Sequence, residues 1–362
     1  VAEGDRIAVV LPQRIETGIC HLATWKIGAI SLPLSVLFGT DALRYRLKDS
    51  GSCTVISAGQ PLEKIYEVIP DLPDLKHIIN CDGGPNNFWD LLKQASSNFA
   101  PNQTFADDPA LIIYTSGTTG PPKGAVLAHR CLLGNLTGFE MSHNFFPKDS
   151  DLMWTPADWA WAGGLLDALL PAWYYGYPVL GYAGGRFDAE RACHMMARYR
   201  VRNAFIPPTA LKMMRQIGDL RSIGVSLRSV MSAGETLGSH LYEWALEALG
   251  VNVNEMFGQT ECNYVVGNCS AIMPVRPGSM GKPYPGHCVE PMDTEGSIMP
   301  DGEVGELCVH RNDPTMFLGY WNGEEDTQEK MRGEWWKTGD VGYRDADGYL
   351  WFVGRQDDVI SS

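Results

Sequence analysis

An α/β fold of mostly parallel sheets flanked by helices, with a smaller antiparallel, β-barrel-like part toward the C-terminus, is what this sequence predicts. Three observations carry the prediction. Short apolar β-type runs alternate with segments of helical spacing through about residue 250, the pattern of a largely parallel sheet. From about Gly278 the texture changes to short alternating runs joined by Gly and Asp turns such as Asp345-Ala-Asp-Gly348, which read as antiparallel strands. A chain of 362 residues with 44% hydrophobic content can also bury a large core in more than one layered unit.

Taken in order, Arg6-Ile-Ala-Val-Val-Leu11 reads as a buried strand, and Ile15, Ile19 and Leu22 then fall at helical spacing up to Gly28. Ala29–Leu34 is the next strand, Thr40 caps a helix that carries Leu43 and Leu47 and stops near Gly51, and Cys53–Ser57 and His77–Cys81 follow as strands. Residues 83–109 read as a polar connector, and Ala110–Tyr114 as another buried strand. Further on, the predicted elements are a strand at Asp151–Thr155, a helix capped by Asp188, a strand at Asn203–Pro207, and a helix capped by Thr209 that stops at Gly218. A strand at Leu227–Ser232 and a helix from His240 to Gly250 complete the alternation. The runs Gly305–His310 and Gly348–Val353 belong to the β-rich part.

Composition narrows the function classes. A net charge of −14 argues against a nonspecific nucleic-acid or acidic-membrane binder. The nine cysteines are scattered, with no C-x-x-C pair, which fits a reducing cytoplasm better than a disulfide framework or a zinc site. Ala160–Tyr182 imitates a membrane span, but Asp167, Pro171 and Pro178 break it, so a buried helix followed by a strand is expected.

The stretch with the densest chemistry is Thr115-Ser-Gly-Thr-Thr-Gly-Pro-Pro-Lys-Gly124, placed between a strand and a helix-compatible segment. Its glycines let backbone N–H groups approach an anion, and its hydroxyls add donors. Lys123 supplies a cation suited to a polyphosphate. The G-x-x-x-x-G-K-[ST] pattern is absent, so this is a phosphate-gripping loop of another kind. Downstream, Glu255-Met-Phe-Gly-Gln-Thr-Glu261 ends a strand with an aromatic, a glycine, a hydroxyl and a carboxylate. Phe257 is able to stack on a purine, Thr260 to donate to a phosphate, and Glu261 to hold Mg²⁺ together with phosphate oxygens. His129, near a helix start, reads as a local hydrogen-bonding residue rather than a catalytic one.

The ten-residue loop resembles the signature of the adenylate-forming superfamily, which includes acyl-CoA synthetases and the adenylation modules of peptide synthetases. Four further stretches resemble that superfamily in its order. In Glu255–Glu261 the family's aromatic is often Tyr, and Phe257 lacks its hydroxyl. Ser232-Ala-Gly-Glu-Thr236 is similar to the adenine-side loop, placing Gly234 and Glu235 beside the base. Trp336-Lys-Thr-Gly-Asp340 is similar to the element whose aspartate accepts from both ribose hydroxyls. Gly354-Arg-Gln-Asp-Asp358 resembles the junction where Arg355 reaches the nucleotide and Asp357 is the interdomain hinge. Ala157-Asp-Trp-Ala-Trp161, Pro277–Gly286 and Phe352–Ser362 resemble short- and medium-chain acyl-CoA synthetases.

The resemblance implies residues 1–277 as the α/β part of an adenylation domain, 278–356 as its β-rich part, and 357–362 as the start of a hinge. In the family there is more chain before the position of Val1, and beyond that of Ser362 a small mobile domain with a catalytic lysine. The implied function is an AMP-forming acyl-CoA synthetase, an acid–thiol ligase of fatty acid metabolism. It would use ATP, Mg²⁺ and CoA on a small or medium-chain carboxylic acid, with neither nucleic acid nor a membrane span as partner and with room for a homo-oligomer. Thr115, Ser116, Gly117, Thr118, Thr119, Gly120 and Lys123 would hold phosphates. Gly234, Glu235, Glu255, Met256, Phe257, Gly258, Gln259, Thr260, Asp340 and Arg355 would surround the nucleotide. Lys123, Thr260, Glu261 and Arg355 are the catalytic candidates, and Glu261 the metal ligand.

Acetyl-CoA synthetases carry two tryptophans where this chain has Phe257 and Gly258, so the acid pocket is expected to continue past Gly258 with Trp161 as a wall. An amino-acid-activating module is the nearest rival, although Trp159 and Trp161 occupy the stretch that would hold an α-amino group. A nucleotide-binding protein without full turnover is the other.

Overall fold

A computed structural model describes residues 1–115 and 120–356 of the chain. The strands are β1 (Arg6–Val10), β2 (Ile30–Pro33), β3 (Thr54–Ser57), β4 (His77–Asn80), β5 (Pro109–Thr115), β6 (Lys123–Ala128), β7 (Met153–Trp154), β8 (Val179–Leu180), β9 (Asn203–Phe205) and β10 (Ser229–Ser232). They continue as β11 (Val253–Phe257), β12 (Val266–Gly267), β13 (Ser279–Pro283), β14 (Val289–Met292), β15 (Gly305–His310), β16 (Gly319–Tyr320), β17 (Met331–Arg332), β18 (Trp335–Arg344) and β19 (Leu350–Arg355).

Two sheets result, as the alternation of apolar runs and helices requires. The first runs β16-β6-β5-β2-β1-β3-β4, parallel from β5 to β4, with β6 and β16 antiparallel. The second runs β14-β15-β18-β19-β13-β12-β11-β10-β9-β7-β8, with β17 on β18. Its β8 to β11 half is parallel and its β13 to β19 half antiparallel. The two halves are continuous because β12 pairs antiparallel with both β11 and β13. Two glycines permit that junction: a Cβ on Gly281 would lie 2.1 Å from the Gly267 carbonyl oxygen, and one on Gly267 would overlap the Tyr284 hydroxyl. The main buried cluster sits between the sheets, joining Leu111 and Leu127 to Leu165 and Leu169 and on to Val309 and Trp336.

The α/β class is borne out, and several local expectations are corrected. The loop after Tyr114 joins two antiparallel strands, since Lys123 opens β6, and the helix Arg130–Ser142 comes only afterwards. The first helix, Ile15–Lys26, turns Glu16, Thr17, Gly18, Cys20, His21 and Thr24 inward and leaves Ile15 and Leu22 exposed. The reason is the Trp173 indole, which packs so closely on Gly18 that any Cβ there would collide with it. Thr40 and Thr209 are not helix caps. Gly39 and Pro207 hold those positions, while the two hydroxyls are engaged by Glu67 at 3.3 Å and Glu235 at 2.6 Å. The connector contains a helix, Phe88–Gln94, whose cap is the Asn87 side chain accepting from the Asp90 amide. The apolar Ala160–Tyr182 stretch is a buried helical segment followed by β8, and among the described residues no helix is long and apolar enough to cross a membrane.

Candidate active site

Four of the singled-out stretches meet where the ends of β10, β11 and β19 come up against the middle of β18. A cavity of about 400 Å³ opens there, and its lining includes Gly234, Glu235, Glu255, Met256, Phe257, Gly258, Gln259, Asp340 and Arg355. These residues come from positions up to 121 apart in the chain, yet every one was expected at a nucleotide. Thr236, Met280 and Phe352 complete the wall. Met280 and Phe352 lie within Pro277–Gly286 and Phe352–Ser362, and their apolar side chains are the sequence signal for this part of the wall.

Asp340 is the best-held group in the cavity. Its Oδ1 accepts from Arg355 Nη1 at 2.8 Å and its Oδ2 from Gln259 Nε2 at 2.7 Å. Gln259 Nε2 also donates to the Thr338 carbonyl at 2.9 Å. The β18–β19 register dictates this, because Asp340 lies directly opposite Arg355. Each carboxylate oxygen keeps a free lone pair after these bonds, so Asp340 can still accept from two adjacent hydroxyls. Glu255 is 5% exposed, and its one described donor is the Leu237 amide at 3.1 Å. Burial pushes its carboxyl up to about 7.

Beyond β11 the chain folds into a tight turn in which the Gln259 amide donates to the Cys262 carbonyl and the Cys262 amide to the Gln259 carbonyl. Thr260 and Glu261 sit at its tip. Glu261 is buried, its Oε1 accepts from the Tyr320 hydroxyl at 2.6 Å, and no described residue donates to its Oε2. A single carboxylate with one open oxygen fits Mg²⁺ that takes its remaining ligands from phosphates and water.

The loop between β5 and β6 is closed at its base by Thr115, which stands opposite Lys123 in the β5–β6 register. Ser116, Gly117, Thr118 and Thr119 lie outside the described residues, as does Asp357. Gly120 has φ +93°, a conformation a glycine adopts without strain. Lys123 Nζ is 2.6 Å from Asp326 Oδ1, an ion pair that lines a second opening of about 340 Å³ together with Tyr320. Neither Tyr320 nor Asp326 was singled out from the sequence.

Two expectations about the acid pocket meet an obstacle. Trp161 does not line the 400 Å³ cavity; it is 41% exposed and packs edge-on against Phe38. Gly258 does line it, but its hydrogen faces backbone, and a Cβ would lie 2.6 Å from the Tyr264 amide nitrogen. The glycine is therefore required by close backbone approach, whatever sets the depth of an acid pocket. Asp158 of the same stretch accepts from Ser35 at 2.7 Å and ties the chain after β7 to the chain after β2. His129 also departs from expectation, since its buried Nε2 has no partner among the described residues.

A family model described as AMP-binding enzyme matches residues 1–321. The chain belongs to that family. Among known proteins, this AMP-binding enzyme chain is 31% identical to the uncharacterised acyl–CoA ligase YtcI of Bacillus subtilis, over 99% of this chain and 68% of that one. It is 31% identical to the acetyl-coenzyme A synthetase of Bacillus subtilis and 30% identical to the human mitochondrial acyl-coenzyme A synthetase ACSM4. Each match covers 99% of this chain, and 64% and 63% of those relatives. The chain thus spans about two thirds of the length of these relatives. Its fold is similar to the anthranilate CoA ligase AuaEII in complex with anthranoyl-AMP, with a TM-score of 0.92 and 29% identity over all of this chain and 70% of that one. It is also similar to ATP-bound MatB from Rhodopseudomonas palustris, with a TM-score of 0.89 and 26% identity over 99% of this chain and 70% of that one. The three sequence relatives are named as an acyl–CoA ligase, an acetyl-coenzyme A synthetase and an acyl-coenzyme A synthetase.

Proposed function

We propose that the protein is an AMP-forming acyl-CoA synthetase. It joins a small or medium-chain carboxylic acid to the α-phosphate of ATP, releases pyrophosphate, and passes the acyl group to CoA with loss of AMP. The observation that carries this reading is the single cavity lined by nine expected nucleotide residues, with Asp340 held between Gln259 and Arg355. Relatives with acyl-CoA synthetase names and structural neighbours with ATP or an acyl-adenylate bound support it.

In this reading the ribose hydroxyls donate to Asp340, and the base lies against Phe257 beside Gly234 and Glu235. Lys123 and the loop from Thr115 to Gly120 receive the β- and γ-phosphates, which requires the Lys123 ammonium to give up or share Asp326. Glu261 supplies one ligand to Mg²⁺, whose chemistry is to neutralise phosphate charge. Thr260 and Arg355 face the reacting phosphate. A carboxylic acid is already ionised near neutral pH, so its attack on phosphorus needs no general base. The chain's task is alignment and charge neutralisation.

Residues 1–277 and 278–356 then form the α/β and β-rich parts of one adenylation unit, with Asp357 as hinge. A cytoplasmic location is part of this reading, and nine free cysteines among the described residues support it. Pyrophosphate release, measured with a panel of carboxylic and amino acids and with and without CoA, tests the reading. Release driven by carboxylic acids, with CoA required for turnover, is expected. Release driven only by amino acids would assign the protein to the carrier-loading modules instead.

A further inference from the structure

Tyr320 stands where three parts of the molecule meet. Its strand, β16, pairs with β6, and the flanking Leu318 and Trp321 amides donate to the Val126 and Gly124 carbonyls, each at 2.7 Å. Just before it, the Phe317 amide donates to the Glu261 carbonyl at 2.8 Å, and Met316 bridges Cys262. Residues Met316–Trp321 therefore form a strap from the turn that carries Glu261 to the strand that begins with Lys123.

The Tyr320 ring has little freedom on this strap. It packs edge-on against Phe317 and Trp336 at centroid distances of 5.1 and 6.1 Å. Its amide donates to Thr327 Oγ1 at 2.9 Å. From this seat the hydroxyl donates to Glu261 Oε1 at 2.6 Å, while Lys123 Nζ lies 5.6 Å from the ring centroid. A phenol keeps its proton at neutral pH, so the hydroxyl is the donor and the Glu261 carboxylate the acceptor in this bond. A buried carboxylate whose one described donor is a rigid hydroxyl takes its orientation from that donor.

We infer that Tyr320 is a positioning residue for the phosphate–cation end of the site: its hydroxyl aims the open oxygen of Glu261, and its ring seats Lys123. This rests on the proposed adenylation reading, in which both groups act on ATP. The test is ATP binding by calorimetry across a Mg²⁺ series for wild type, Tyr320→Phe, Glu261→Gln and the double variant, with AMP binding measured alongside.

Tyr320→Phe keeps the ring and loses one hydrogen bond to a charged group, so the half-saturating Mg²⁺ concentration should rise about five- to tenfold. AMP affinity should stay unchanged, because the Asp340 cluster is untouched. In the Glu261→Gln background the second change should add nothing. A Mg²⁺ series superimposable on wild type, or AMP affinity falling in parallel, would overturn the positioning role. Wild-type protein with no Mg²⁺-dependent ATP binding would overturn the adenylation reading and this inference together.

Discussion

The Gln259 side-chain amide spans 2.7 Å to Asp340 Oδ2 and 2.9 Å to the Thr338 carbonyl, locking the end of β11 to the middle of β18. A residue of one motif thus fixes the key carboxylate of another, 81 positions away. Gln259→Leu removes both bonds and leaves Asp340 with Arg355 alone. AMP affinity, measured by calorimetry, should fall about tenfold, the size of one hydrogen bond to a charged partner. Unchanged affinity would mean that Asp340 does not depend on Gln259.

Lys123 should matter to ATP and little to the fold. Its ion pair with Asp326 is partly exposed, with side-chain exposures of 31% and 41%. Lys123→Ala is therefore expected to change unfolding free energy by about 1 kcal/mol or less, while acid-dependent pyrophosphate release collapses. Release at the wild-type rate from a folded variant would remove Lys123 from the phosphate site.

Glu255 makes a pH-dependent prediction for stability. Its carboxyl titrates near 7 in the folded chain and near the ordinary 4.5 when unfolded, so the unfolded state loses its proton first as pH rises. Stability from this group is highest below about pH 4.5, declines between 4.5 and 7, and is lowest above 7; the full span is about 3 kcal/mol. Glu255→Gln keeps an acceptor for the Leu237 amide and removes the charge. The melting temperature of the variant should exceed that of wild type at pH 8, and the difference should shrink by pH 5. A difference independent of pH would contradict the buried, elevated carboxyl.

An acid pocket continuing past Gly258 would make that glycine a gate for acyl chain length, but the close backbone approach changes the expected outcome of substituting it. With the Tyr264 nitrogen 2.6 Å and Asn263 Cα 3.1 Å from an added Cβ, even Gly258→Ala forces backbone to move, at a cost of about 1–3 kcal/mol. Thermal stability and activity on all acids should fall together. Selective loss on longer acids, with wild-type stability, would restore the gate.

Much of this was legible in the sequence, and the rest was hidden for identifiable reasons. The apolar run Arg6–Val10 and the alternating run Gly305–His310 are both strands, and both patterns are local signals. The residues lining the 400 Å³ cavity were legible because they fall in short stretches that resemble the motifs of one family. Tyr320 and Asp326 were not, since their partners Glu261 and Lys123 lie 59 and 203 positions away and the pairing exists only once both sheets form. Thr40 and Thr209 misled for a related reason: their hydroxyls serve distant carboxylates rather than the helix ends beside them. Gly258 was ambiguous because a glycine in sequence does not say whether a ligand or a backbone needs the space.

The central claim, carboxylate attack on the α-phosphorus of ATP, is tested most directly by following isotope from the acid. Butyrate labelled with ¹⁸O in both carboxylate positions is incubated with the protein, ATP, Mg²⁺ and CoA, and the released nucleotide is analysed by mass spectrometry. The account predicts AMP carrying one ¹⁸O, since the bridging oxygen of the acyl-adenylate stays with phosphorus when the acyl group leaves. Acid-dependent turnover that yields unlabelled AMP, or that yields ADP with the label in inorganic phosphate, would contradict it.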